Sequence, residues 1–328
     1  MIEINNDSMV FSFPEVHASA TLEIEFQRTL RIPDDDKDYP LPPGLGSFPL
    51  RHVDDFSQTI SKSWIKHGGI VFPMYQSEAM WINFNGRHDS RRGTAYPFAV
   101  KIAAGKINAI TGEKWEDETN QTDQNYCVVP GQPWLDGYCV EKGVIRQFVA
   151  IPLGAGYTAE EQITGTSEFG GLQIQVFPMR REIFEKRFPL REEEPELGIR
   201  FMMDDCAAPY GMGLAPGGRM KQEIKSDPYD QEDWDLGNTS RCFVHIENSM
   251  VWQSITGSQP PFPPPTAKSY SDAGLPWFDW YDENSAPLSG SMTLSNLKSV
   301  AKMGAEKGEV PLPENEPAVP TQINTLHA

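Results

Sequence analysis

Twenty-eight prolines and twenty-seven glycines interrupt a chain of 328 residues. Proline removes a backbone donor and breaks helix interiors, and glycine weakens them. Punctuation this frequent excludes long helices and favours short strands joined by turns. Only 39% of the residues are hydrophobic, yet 8 Trp, 17 Phe and 10 Tyr supply bulk for a core.

The local patterns agree. In "SATLEIEFQRTLRI", Leu22, Ile24 and Phe26 alternate with Thr21, Glu23 and Glu25, the period of a half-buried strand. "FGGLQIQVFPM" sets Leu172, Ile174 and Val176 against Gln173 and Gln175 in the same way. "YPFAVKIAAGKINAITGEKW" reads as a hairpin turning at Ala104-Gly105. Phe56, Ile60 and Trp64 recur every four residues, which predicts one short helix stopped by Gly68. "QPPFPPP" reads as extended polyproline. The expected fold is mainly β with a few short helices, in sandwich-like β regions that can pack together. A larger region, 1–195, ends in the charged stretch "RREIFEKRFPLREEEPELG". A smaller β-rich region, 196–303, follows, and then a loose Pro/Glu-rich tail, 304–328.

The formal charge of −18 repels nucleic acid and anionic lipid. The one basic stretch, "GRHDSRRG", is short and reads as a solvated loop. No run of about 20 apolar residues is present, so no membrane span is expected. "MIEINNDSMVFSFPE" lacks a basic region followed by an apolar one, and a cytoplasmic location is the expectation. Four cysteines lie far apart without metal-site spacing and are expected to be reduced, buried thiols. No cofactor is implied.

Chemistry-bearing motifs are few. "APYGMGLAPGGRMKQEI" holds the densest glycines, but the alternating run after them is strand-like. An anion cradle needs a helix there, so Gly217-Gly218 is expected to be a turn feeding a strand. No nucleophile elbow appears. Cys242 and His245, three apart on a strand, point to opposite faces, and Cys206 sits beside Asp204 and Asp205, where a thiolate is disfavoured. "HIE" places His245 and Glu247 on one strand face, half of a metal site. Asp136, Glu141, Arg146, Arg219 and Lys221 are the polar candidates for a ligand site assembled from distant segments. "GLPWFDWYDE" offers Trp277 and Trp280 either as a contact surface or sugar platform, or as a plug for the end of a sandwich.

Several phrases together, among them "YPLPPGLGSFPLRHVDDF", "QPWLDGYCVEKGVIRQFVAIPLGAGYTAEEQITG" and "AGLPWFDWYDE", resemble a family of uncharacterised microbial proteins, some labelled as membrane proteins. The likeness covers most of residues 40–300. Met212 to about Tyr281 resembles, more loosely, a region found beside ubiquitin-like domains in some fungal proteins. Neither resemblance brings an activity or a residue role.

The functional expectation is a soluble, non-enzymatic protein that binds a protein partner or assembles with itself. One alternative is an enzyme or small-ligand binder built on the polar candidates; another is a carbohydrate-binding module.

Overall fold

A computed structural model describes residues 2–35, 37–190, 211–281 and 286–327. The chain is mainly β. It opens with β1 (Ile2–Asn5), β2 (Ser8–Ser12) and β3 (Thr21–Thr29), a meander in which every second side chain of β3 is buried. Short strands β4 (Asp38–Tyr39), β5 (Gly44–Ser47) and β6 (Arg51–His52) follow. The expected single helix is split into a 3-10 turn, Val53–Phe56, and α1 (Lys62–His67), and Gly68 stops α1 at φ 63°. Next come β7 (Ile70–Met74), β8 (Ala79–Gly86), a small hairpin of β9 (His88–Asp89) and β10 (Thr94–Ala95), and the hairpin β11 (Phe98–Ala104) with β12 (Ile107–Asn108). Its turn sits at Gly105, where the sequence placed it.

The series continues with β13 (Cys127–Val129), β14 (Trp134–Leu135), β15 (Gly137–Glu141) and β16 (Val144–Pro152). Helix α2 (Ala159–Thr164), β17 (Leu172–Pro178) and α3 (Arg181–Arg187) complete the part before residue 190. Beyond residue 210 lie β18 (Gly211–Lys221), β19 (Ser240–Asn248), α4 (Ser249–Thr256), α5 (Ala267–Asp272), β20 (Trp277–Tyr281), α6 (Met292–Ser295), α7 (Val300–Lys307) and β21 (Ile323–His327).

The strands form two layers. One runs β1–β2–β3–β8–β16–β18–β4, and the other β6–β7–β19–β17–β11–β13. They meet at a corner where Gly211 and Met212 of β18 pair with Glu247 and Ile246 of β19. Between the layers, Phe26 of β3 stacks on Phe72 of β7 at 4.9 Å, and Phe48 joins Phe72 at 5.0 Å. Facing sheets with interdigitating side chains make a sandwich.

The boundary expected near residue 195 does not separate two bodies. β18 zips along β16 from Val144↔Lys221 to Pro152↔Met212, and β19 lies between β7 and β17. One hydrophobic core includes residues from both sides of that boundary. Residues 304–327 carry the end of α7, a 3-10 turn at Pro313–Asn315 and β21, which runs parallel to β20.

The glycines of the APYGMGLAPGGRMKQEI stretch lie inside a strand rather than at a turn. Gly217 and Gly218 together oppose Gln147, between the pairs Arg146↔Arg219 and Phe148↔Pro216, and form a β-bulge. A Cβ at Gly217 would sit 2.5 Å from Val149 Cγ2, and one at Gly218 would sit 2.6 Å from the Pro33 carbonyl oxygen. Close chain approach, not reversal, requires glycine here. Buried Gln147 uses the space to brace the chain after β3: its amide donates to Leu30 O and accepts from Ile32 N, each at 2.9 Å.

The outer face of the second layer is polar yet covered. Lys101 of β11 donates to the carbonyls of Glu116 (2.5 Å) and Glu118 and lies over the Trp115 ring. Arg241 of β19 pairs with Asp117 at 2.8 Å, bonds Gln173, and lies between the Trp115 and Phe243 rings. Gln173 donates to Gly105 O at 2.6 Å. A loop over 113–120 thus closes a face whose alternation reads, in sequence, as solvent-exposed.

Candidate functional site

Most of the sequence-predicted polar residues converge at one end of the first layer. Arg146 and Arg219 are cross-strand partners on β16 and β18. Two adjacent cations repel, and each is answered by carboxylates. Arg219 makes a two-pronged contact with Glu141 (2.8 and 3.1 Å) and reaches Asp38 at 2.8 Å. Those contacts raise the Arg219 pKa and hold the Glu141 carboxyl below its ordinary value. Arg146 contacts Gly217 O at 3.1 Å and Asp34 at 3.4 Å; the other Asp34 oxygen accepts from Ala301 N.

Beside this cluster lies a slot of about 180 Å³, with Leu41, Pro133, Trp134, Lys221 and Trp280 in its wall. Trp134 and Trp280 meet edge to face, with ring centroids 5.0 Å apart and planes at 87°. Trp134 is held in place: its indole N–H donates to Asp136 at 2.5 Å, and its carbonyl accepts from Gln132 (2.9 Å) and Gln222 (3.2 Å). Gln222 also takes the Asp136 N–H at 2.9 Å. Both the indole and the backbone of Trp134 are therefore anchored. Asp136 sits behind the ring, and burial pushes its carboxyl up to about 7 against the opposing pull of the indole donor. At the rim, Lys221 faces Asp279 at 3.4 Å.

Trp280 belongs to β20, which is hydrogen-bonded through Phe278 to Leu41 on one side and to β21 on the other. Trp280 and Leu326 are register partners. The far edge of β21 pairs with no strand among the described residues. Leu326 is 43% exposed there, next to Trp280 at 38%, while Ile323, 48% exposed, is the register partner of Trp277 on the opposite face.

Two candidate sets fall outside this site. Trp277 is fully buried, packs against Tyr39 and donates to Ser271 at 3.0 Å; it is a plug and offers no ligand surface. His245 and Glu247 do share a strand face, but both are buried. The His245 ring stacks on Trp64 at 4.5 Å, and its Nε2 engages Gly68 O at 3.0 Å. Burial pushes the imidazole down to about 4 and the Glu247 carboxyl up to about 9, so neither is charged at neutral pH. No cluster of three His, Cys, Asp or Glu suited to a metal exists among the described residues. This corrects the metal reading of His245 and Glu247. Cys127, Cys139 and Cys242 are buried and unpaired, and burial raises their thiol pKa values. Cys206, with Asp204 and Asp205, lies outside the described residues.

Sequence reasoning missed Trp134, although a signal exists: Trp134 and Asp136 are two apart in extended chain, which places them on one side. A larger cleft of about 790 Å³ lies elsewhere, and two of its polar side chains are committed to the chain around it. Asn108 caps the N–H groups of Ile110 and Thr111, and Ser291 donates to Thr111 O.

No family model, curated protein or solved structure matches the chain. Among the described residues, no helix is long and apolar enough to cross a membrane.

Proposed function

We propose that the protein works by binding another protein chain, through strand addition at the open edge of β21 beside the Trp134–Trp280 slot. The partner to test first is a second copy of itself. The composition of the edge supports this reading. Sheet edges are normally guarded by lysine, proline or a bulge. β21 reads Ile-Asn-Thr-Leu-His, without Lys, Arg, Asp or Glu, in a chain that is 23% charged. A strand added to such an edge gains main-chain hydrogen bonds, and an adjacent pocket gives side-chain selectivity. Trp280 serves both parts, as register partner of Leu326 and as wall of the slot. The charge cluster reinforces a binding role over a catalytic one, because Arg219, Arg146 and Lys221 each meet a carboxylate.

Copies carrying −18 each repel at low salt, so self-association should strengthen as salt screens them. Light scattering behind size exclusion, at low and high salt, tests this with Leu326→Lys as the blocking variant. The expected result is a dimer or larger species that the variant abolishes without loss of fold. A strict monomer under all conditions that also engages no partner through β21 would refute the proposal.

A second reading, saccharide binding, is favoured by the Trp134–Trp280 pair with Lys221 and Asp279 at the rim of a ring-sized slot. It requires a tryptophan fluorescence change on glycan titration that Trp280→Ala removes, and a flat titration eliminates it.

A further inference from the structure

We infer that a second cavity, between α7 and the outer face of β16, binds a small organic ammonium with an apolar body. The cavity holds about 290 Å³, room for a single ring rather than a drug-sized ligand. Its walls are apolar. Ile151, at the end of β16, and Val300 and Leu312 belong to a small hydrophobic cluster separate from the main core.

Four polar side chains, those of Gln76, Tyr157, Glu309 and Asn315, line this space. Tyr157 is 5% exposed, and its hydroxyl faces the Glu309 carboxylate, which together with burial raises its pKa. The Glu309 carboxylate stands at the mouth. Asn315 is fixed by Arg31, whose Nη2 donates to its Oδ1 at 2.8 Å. The position of Gly304 in α7 locates the polar end: a Cβ there would lie 3.8 Å from the Tyr157 hydroxyl and 3.7 Å from Glu309 Oε2. A ligand group entering at Gly304 thus meets an uncharged hydroxyl and an anion together.

That pairing selects charge. An ammonium can donate to both Tyr157 oxygen and Glu309, while a carboxylate would face Glu309 directly. The chain's net charge of −18 attracts a cation and repels an anion over longer range. The Lys307 ammonium lies against the Tyr157 ring face, 3.9 Å from its centroid, and is also bonded to Ala155 O. It therefore holds the ring in place and is already engaged.

The test is calorimetric titration with benzylamine, set against benzyl alcohol and benzoate of the same ring size. Saturable one-to-one binding of benzylamine is expected, with the two comparators at least about tenfold weaker. Glu309→Gln should weaken benzylamine about tenfold and bring it level with benzyl alcohol, and Tyr157→Phe should weaken all three. Gly304→Leu fills the polar end from a helical position and should abolish binding while the circular dichroism spectrum is retained. Absence of heat up to about 10 mM benzylamine, the weak limit of specific binding, would overturn the inference. So would benzoate binding as tightly as benzylamine, or unchanged binding in folded Gly304→Leu.

Discussion

The two outer faces of the sandwich are covered by different parts of the chain and leave different kinds of group unsatisfied. Over the second layer, buried Lys101 is committed to two carbonyls and buried Gln173 to Gly105, the more exposed Arg241 meets Asp117 and two rings, and the atoms left without a hydrogen-bond partner, Gln175 Oε1 and Thr119 Oγ1, are neutral. Over the first layer, the chain after residue 257 supplies the cover, and the unsatisfied groups there belong to charged side chains. Arg31 Nε and Nη1 and Glu314 Oε2 are buried without hydrogen-bond partners. Phe262, in the proline-rich stretch, is 91% exposed, although its carbonyl is held by Arg28 and that of Pro261 by Tyr75. A closed polar face contributes uniqueness to the fold. A face with anchored backbone and unsatisfied side chains is where a ligand or partner gains most, since little ordering entropy remains to be lost on binding.

The sharpest way to separate core from cover is to break the core. Phe72→Ala removes a buried ring that stacks on both Phe26 and Phe48 across the layers. A loss of about 3–5 kcal/mol in urea unfolding is expected. Glu78→Gln should be nearly as severe, because it strands the buried Arg28 guanidinium, now bonded to Glu78 at 2.5 and 2.7 Å. Breaking a buried pair costs about 3–5 kcal/mol. The same variant should loosen the proline-rich segment, since Arg28 also donates to Phe262 O at 2.7 Å. Limited proteolysis near residue 262 would report it, and a cleavage pattern equal to that of the parent would show that the segment is held otherwise.

A third prediction concerns pH. Glu247, pushed up to about 9 by burial, keeps its proton in the folded state, while the unfolded chain loses it near the ordinary value of 4.5. Its contribution is full below that ordinary value and is lost as pH rises toward 9, by at most about 1.4 kcal/mol per pH unit. His245 acts in the opposite sense. With its folded value near 4 and its ordinary value at 6.5, its contribution is full above 6.5 and is lost as pH falls toward 4. Urea midpoints between pH 7 and 9 should therefore decline in the parent and flatten in Glu247→Gln. An unchanged slope would place the titration elsewhere. Phe262→Ala is the smallest effect: a change within about 0.5 kcal/mol is expected for so exposed a ring, and a larger loss would mean that it packs in solution.

Much of the body is legible in the sequence, for identifiable reasons. β3, β17 and the β11–β12 hairpin carry strict alternation or a turn glycine, and both signals are local. Gly217-Gly218 misleads because a bulge and a turn draw on the same residue type, and only the partner strand distinguishes them. Gln173 and Gln175 read as a wet face because the covering loop lies some 55 residues upstream, beyond the reach of periodicity. The site is legible as parts. Arg219, Glu141, Arg146, Lys221 and Trp280 are each unusual in their surroundings, but their convergence depends on the register of β16 with β18 and on Leu41 meeting β20. His245 and Glu247 illustrate the converse: correct spacing for a metal, in a position that burial neutralises.

The placement of β18 and β19 also bears on how the chain is made. β7, β16 and β17 are synthesised before residue 180, and their inner-edge partners are supplied by residues 211–248. At translation rates of about 5–20 residues per second, the edges of β16 and β17 stay open for roughly 3–14 s on a growing chain, and that of β7 for roughly 9–35 s. During that interval the nascent protein presents unpaired, apolar strands, which makes it a client for chaperones and sensitive to the speed of its own synthesis.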